Sequence, residues 1–305
     1  MKISLRQLRL FVQLSRPLFL LGGMFLYSLG AAMAHYLGHP VDTGRFLLGL
    51  LLILTIQLMT NYLHEYYDAD IDKQNTQRTP FTGGSGALGS EGLPRRTALN
   101  AAIIAIGIAA ILASGLLAQG RLPLLASLVL LLIFLGAFFY SVPPVKLASS
   151  GYGELTTSLV VGGLVPTFGF AVQTGELHRL LLMSTAPLVA LQFAMMLAFE
   201  LPHYSADSRN GRRTLMVRLG WSTAMQFHDA AIMLAIVFFG IAFLVGLPWR
   251  VGFGALIALP LAAAQIWQMG RIRRGYPPRW NTLTFGALAL FALTAYLELV
   301  GYLLT

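Results

Sequence analysis

The chain has 305 residues, of which 56% are hydrophobic and only 11% charged. An ordinary soluble domain carries about 25% charged residues, so a cytosolic enzyme, a secreted disulfide scaffold and a disordered protein are all excluded. The net charge is +9 and cysteine is absent, which leaves orientation charges, anionic lipid or an anionic substrate to explain the basicity and removes disulfide and thiolate chemistry.

Nine apolar runs lie near 17–36, 45–66, 97–118, 122–141, 155–173, 180–199, 222–246, 251–270 and 283–304. Each approaches the ~20 residues that cross a bilayer as a helix. The expected fold is therefore all-α, a polytopic transmembrane bundle of nine helices forming one integral-membrane domain over 1–305. A membrane barrel would instead show short alternating segments. The first run ends in Ala32-Met33-Ala34, the form of a signal cleavage site. It is as long as a span and eight more follow, so it is read as a retained helix.

With a cytoplasmic N-terminus, the cytoplasmic segments hold Lys2, Arg6, Arg9, Arg16, Lys73, Arg78, Arg95, Arg96, Lys146, Arg209, Arg212, Arg213, Arg218, Arg271, Arg273, Arg274 and Arg279. The outer segments hold Arg45, Arg121, Arg179 and Arg250, which completes the 21 basic residues. This asymmetry supports the span count and puts the C-terminus outside. It also accounts for the basicity without a nucleic-acid partner.

Acids number only 12, yet Glu65, Asp68, Asp70 and Asp72 crowd the cytoplasmic end of the second run. On a helix, His64, Asp68 and Asp72 fall on one face, and Asn61, Glu65, Asp68 and Asp72 share a stripe. Like charges at that spacing repel; a bound divalent cation reverses the sign of the cost. Oxygen-rich ligands suit a hard ion such as Mg²⁺, which also takes substrate phosphates. The bland alternative is a solvated helix end. A second cluster, Glu200-Leu-Pro-His203-Tyr-Ser-Ala-Asp207, precedes Gly211-Arg212-Arg213-Thr214-Leu-Met-Val-Arg218-Leu-Gly220. Two acidic clusters on one membrane face, both beside arginines, suggest a site for a metal-held polyphosphate. Arg209 and Arg218 are more simply orientation charges, and His64 and His203 read equally well as helix-end polar residues or as metal partners.

These residues resemble the UbiA superfamily of intramembrane prenyltransferases, whose nine helices carry two Asp-rich motifs after the second and sixth. The first, commonly Asn-Asp-x-x-Asp-x-x-x-Asp, reads here His64-Glu65-Tyr66-Tyr67-Asp68-Ala69-Asp70-Ile71-Asp72. Asn61 matches an asparagine of the menaquinone-type branch. The second motif commonly holds Asp-x-x-x-Asp; Asp207 matches its second aspartate and His203 replaces the first. Gly211–Gly220 fits the sequence that follows, with Arg212 for a lysine. Tyr140-Ser-Val-Pro-Pro-Val-Lys146-Leu, Gly151-Tyr-Gly-Glu154-Leu, Arg16-Pro17 and Arg78-Thr-Pro-Phe-Thr-Gly-Gly-Ser85-Gly are similar to further family segments.

The resemblance implies transfer of a prenyl group from a polyprenyl diphosphate to an acceptor, usually aromatic, with 1,4-dihydroxy-2-naphthoate the best guess. It implies a cytoplasmic-side active site on loops about 67–96, 141–154 and 200–221, in a bacterial or archaeal inner membrane. Asp68, Asp72 and Asp207 would bind Mg²⁺, with Mn²⁺ or another divalent ion an option given the two histidines. His64, Glu65, Glu200, His203 and Asn61 would complete or support that shell. Arg78, Lys146, Arg212 and Tyr140 would contact the diphosphate. A non-aromatic acceptor or a cyclase outcome in the same fold, a transporter, and a non-catalytic membrane partner are the competing readings. Transporters tend to place ionisable sites near the midplane, whereas these acids cluster at one face.

Elsewhere, His228 and Asp229 lie within the seventh run, as a functional pair or as a hydrogen-bonded link between helices. Glu298 is expected at the outer interface. Gly162, Gly163 and Gly169 are expected to allow close helix contact. Gly83-Gly84-Ser85-Gly86 lacks the lysine of a phosphate-binding loop and is expected to form a mobile cap over the site.

Overall fold

The computed structural model describes residues 4–74, 77–89 and 91–305; Lys2 lies outside them. Among these residues nine helical segments are long and apolar enough to cross a membrane, as the hydropathy pattern predicts. In chain order the helices are α1 (Leu5–Leu14), α2 (Pro17–Tyr36), α3 (Thr43–Asp72), α4 (Arg95–Ala118), α5 (Leu124–Ser141), α6 (Gly153–Ser158), α7 (Val165–Thr174), α8 (Arg179–Glu200), α9 (Tyr204–Arg209), α10 (Leu215–Leu219), α11 (Trp221–Leu244), α12 (Trp249–Arg273) and α13 (Trp280–Leu303). Helix α2 packs on α7, α3 on α4, α8 on α11 and α12 on α13, while α13 also meets α2 and α8 and closes the bundle. Ile103, Ile111, Leu131, Leu132 and Phe253 are exposed on its outer surface, where lipid would cover them.

Three departures from the hydropathy reading matter for the site. Helix α3 has 30 residues, about 45 Å at 1.5 Å per residue, against a hydrocarbon core of about 30 Å. Its last turns project beyond the apolar run, so His64 to Asp72 are helical and the first of the expected site loops begins at 73, not at 67. No glycine or proline interrupts the helix there, and basic side chains from other segments neutralise its acids. The 200–221 segment is likewise not a loop: a 3₁₀ turn at Leu201–His203 joins α8 to α9, and α10 follows. Pro202 causes that break, because it cannot supply an N–H to a continuing α8. Finally, α1 precedes the first span, where the apolar runs show no element. A reciprocal pair of bonds between Ser4 and Gln7 caps its start.

The fifth span is composite. A π-helical stretch at Leu159–Leu164 separates α6 from α7. Pro166 stands four residues after Gly162, where its ring would crowd the carbonyl of a regular turn, and a widened turn relieves that conflict. The close packing expected of the glycines is present. A Cβ on Gly169 would fall 2.1 Å from the Tyr27 carbonyl oxygen, and one on Gly162 would fall 2.9 Å from the Val189 backbone. Gly30, not singled out from sequence, is equally tight: its Cβ would meet the Pro166 oxygen at 1.9 Å.

Two residues outside the acidic motifs resolve differently from each other. Asp229 binds the adjacent His228 at 3.0 Å and also pairs with Arg273, joining α11 to α12, which is the structural alternative. Glu298 is not interfacial. It is fully buried, and neither carboxylate oxygen has a hydrogen-bond partner. Its position on α13 turns it toward α8, near the buried Ser184–Tyr302 hydrogen bond of 2.9 Å. Linear hydropathy cannot tell that inward face from a lipid-facing one.

Candidate active site

The end of α3, the segment after α5 and the segment around α9 converge at one end of the bundle. At their centre is Asp68, which is fully buried. Lys146 Nζ lies 3.0 Å from its Oδ1, Arg212 lies 3.0 Å from its Oδ2, and His64 Nδ1 lies 3.4 Å from Oδ2. Neither oxygen has an aligned hydrogen bond, so the contacts are electrostatic. Arg212 also reaches Asp207 at 3.6 Å and donates to the Ala148 carbonyl at 3.3 Å. Burial opposes the charge on Arg212, but Asp68 and Asp207 outweigh it and hold the guanidinium above its ordinary pKa.

Delivery of these cations has a backbone cost. Lys146 and Arg16 are the two non-glycine residues with positive φ among those described, at 40° and 49°. Such conformations cost about 1–3 kcal/mol each and persist where surrounding contacts over-determine them. Lys146 spans the turn from α5 to α6 and meets Asp68. Arg16 sits between α1 and α2 and forms a salt bridge with Glu65.

Glu65 is therefore set apart from the rest of the first motif. Beside Arg16, it accepts the Ser85 backbone N–H at 2.6 Å and the Ser85 hydroxyl at 2.8 Å. Its carboxylate is committed to the 77–89 segment, and it is not among the residues lining the cavity below. Asp72 is different. Its Oδ2 is buried without a hydrogen bond, facing Gly84, where a Cβ would fall 2.5 Å from that oxygen and 3.1 Å from Arg78. Gly84 has φ +80°, so glycine is required there on both counts.

The glycine-rich segment lies over the site, as the cap expectation holds. Arg78 donates to the Gly83 carbonyl at 2.9 Å. His203 Nε2 and Thr82 Oγ1 are 2.7 Å apart, and Phe81 stacks on Phe199 at 6.5 Å between ring centroids. Asn61 donates to the Ser15 carbonyl at 3.2 Å. Glu200 faces Glu154, each with one buried carboxylate oxygen lacking an aligned partner, and Glu154 also accepts the Leu215 N–H.

Below this roof lies a cavity of about 480 Å³. Arg16, Asn61, His64, Asp72, Tyr140, Glu200, His203, Asp207 and Arg212 line its polar part; Phe19, Phe25, Ile53, Ile56, Ile133, Val161, Met195, Phe199 and Phe291 line its apolar part. Of the expected site residues, Glu65, Asp68, Lys146 and Arg78 are not in this lining. Among the described residues no three His, Asp or Glu side chains stand close enough to hold one ion by themselves. The sequence reading missed the partnership of Arg16 with Glu65, the Ser85 and Thr82 anchors, and the half-buried Gln57 and buried Gln192 in the cavity wall. The two glutamines were visible as polar residues inside apolar runs.

A charged mouth over an apolar chamber, inside a bundle of membrane-crossing helices, defines an intramembrane site for an amphipathic substrate with an anionic head. The model of the UbiA prenyltransferase family matches residues 24–294, and the chain belongs to that family; it is an integral-membrane prenyltransferase. Over 240 residues it is 28% identical to the 1,4-dihydroxy-2-naphthoate octaprenyltransferase of Bacillus subtilis, covering 79% of this chain and 72% of the relative. Over 247 residues it is 25% identical to the Escherichia coli enzyme of the same name, covering 77% of each. Among solved structures, a UbiA homolog from Archaeoglobus fulgidus bound to DMAPP and Mg²⁺ superposes with a TM-score of 0.63 at 15% identity, covering 94% of this chain and 98% of the other. A digeranylgeranylglyceryl phosphate synthase superposes with a TM-score of 0.64 at 14% identity, covering 98% and 99%.

Proposed function

We propose that this prenyltransferase moves a polyprenyl group from a polyprenyl diphosphate to an aromatic acceptor of the 1,4-dihydroxy-2-naphthoate type, with a divalent metal and from the cytoplasmic face. The observation that carries the reading is the chamber itself: carboxylates and guanidinium groups at its mouth, hydrocarbon below. The two octaprenyltransferase relatives support the acceptor class, and the Mg²⁺-bound homolog supports the metal. The basic residues concentrated at the site's end of the bundle support a cytoplasmic mouth, with the C-terminus outside.

The donor set suits a hard ion. Asp72 and Asp207 present carboxylates to the chamber, Asp68 lies directly behind them, and buried oxygens of Asp68 and Asp72 lack aligned partners. Mg²⁺ commonly takes one or two carboxylates plus substrate phosphate oxygens, which agrees with a site that no protein triad closes. His64 and His203 each have a protein partner, Asp68 and Thr82, so both serve here as supports. When bound, the ion would neutralise charge gathering on the diphosphate leaving group. Arg212 and Lys146 stand ready to exchange Asp68 for phosphate oxygens and stabilise the same charge. Arg78 belongs to the cap segment itself, bonded to the Gly83 carbonyl, and would close over the phosphates with it. The apolar wall from Phe19 to Phe291 excludes water from the allylic cation that develops.

The test is diphosphate release and product formation by purified protein. Polyprenyl diphosphates of several lengths would be offered with Mg²⁺, Mn²⁺ or EDTA and a panel of phenolic and naphthoic acceptors. The reading expects release that needs both metal and acceptor. Release without an acceptor would replace it by a hydrolase or cyclase outcome.

A further inference from the structure

Helix α1 has three chemically distinct sides. Leu10 and the fully buried Leu14 face the protein. Arg6 donates to the Glu91 carbonyl at 2.7 Å and Gln13 to the Ser85 carbonyl at 2.6 Å. The third side is apolar and largely uncovered: Leu5 is 86% exposed, Leu8 53%, Val12 51% and Phe11 38%, the last with its ring 5.9 Å from that of Tyr62. These four fall within about a third of the helical circumference at 3.6 residues per turn. Arg9, also exposed, stands between that side and Arg6.

Only Ser15 and Arg16 separate α1 from α2, the first membrane-crossing helix, whose exposed Leu18 and Leu21 border the chamber. A helix this amphipathic, with arginine at the polar edge, suits the boundary between headgroups and acyl chains. Its other contacts lead straight to the catalytic mouth. Ser85, held by Gln13, is the residue that binds Glu65, and Phe81, Thr82 and Gly83 of the same segment line the chamber.

We propose that α1 is an interfacial anchor whose apolar side sits in an anionic bilayer surface, with Arg9 among the headgroups, and that it thereby holds the 77–89 segment over the chamber. The lipid surface is the partner; the Gln13–Ser85 contact transmits its hold. The proposal does not depend on which acceptor the enzyme uses.

Because the chain lacks cysteine, Val12→Cys offers one site for a nitroxide label. The labelled full-length protein would be placed in nanodiscs of phosphatidylcholine with phosphatidylglycerol and in discs of phosphatidylcholine alone. In the anionic discs we expect the label to relax with oxygen rather than with a water-soluble nickel chelate, and to sit shallower in the neutral discs. Nickel-dominated relaxation in anionic discs would overturn the anchor, and equal depth in both lipids would overturn the anionic requirement. Gln13→Ala, at an exposed position, tests transmission. It should leave the label depth unchanged while tryptic cleavage after Arg78 accelerates several-fold. Unchanged cleavage would overturn the link to the cap.

Discussion

Lys146 Nζ approaches Asp68 Oδ1 to 3.0 Å across two segments of the chain, so a cation expected to grip the substrate is found gripping the enzyme's own buried carboxylate. Arg212 holds the other oxygen at the same distance. The site thus has its cations preorganised in a position from which a diphosphate could take them over. Lys146→Met should leave the protein folded, since Arg212 still compensates Asp68. It should lower kcat/KM for the donor by about 10–100-fold, the ~1.5–3 kcal/mol of a charged hydrogen bond. Steady-state kinetics at varied donor concentration check this.

Asp68→Asn and Asp207→Asn are expected to abolish the response to metal, because one removes the carboxylate behind the mouth and the other a carboxylate that lines it. A loss of about a hundredfold or more in turnover is the scale for groups that stabilise developing charge. Chelation of wild-type protein by EDTA should produce the same loss and Mg²⁺ should restore it. Activity of either variant that still rises with added Mg²⁺ would remove that residue from the metal site.

Glu65 should behave as a structural residue. Arg16 and Glu65 are nearly buried, with side chains 16% and 4% exposed, and truncating one member of such a pair leaves the other charge uncompensated at about 3–5 kcal/mol. Glu65→Ala should markedly lower the thermal transition in detergent, whereas Ser85→Ala, which loses the hydroxyl's bonds to Glu65 and to the Ala87 N–H, should lower it less, for a cost of about 1.5–3 kcal/mol. Equal melting of both variants would contradict the ion pair's role.

The α2–α7 crossing should tolerate no side chain. Gly30→Val and Gly169→Val each drive atoms into backbone, with even a Cβ falling 1.9 and 2.1 Å from carbonyl oxygens. Neither variant should yield monodisperse protein. Gly107→Ala on α4, where no atom lies within 4 Å, should purify like the wild type and serves as the control.

Some features were legible without coordinates. The nine spans follow from apolar run length, and one charged end follows from where arginines and acids fall. His64, Asp68 and Asp72 share a helical face because a four-residue spacing says so in any helix. These are local periodic properties, and folding preserves them. The sequence does not reveal a residue's partner that is far along the chain. Glu65 reads as one more carboxylate of a motif, yet Arg16 and Ser85, 49 and 20 positions away, draw it out of the chamber lining. His203 reads equally as a helix-end polar residue or a metal partner, and only the fold shows that it meets Thr82 across 121 positions.

By itself, then, the sequence determined the membrane-spanning architecture and the inventory of charges at the mouth, because hydropathy and helical period are properties of short stretches. Only the tertiary structure decided how that inventory is divided: which acids face the chamber, which are consumed in salt bridges, and that Glu298 is buried between helices. The reason is that charges inside a low-dielectric bundle must find compensation wherever the packing of distant helices supplies it, and no spacing along the chain records that choice.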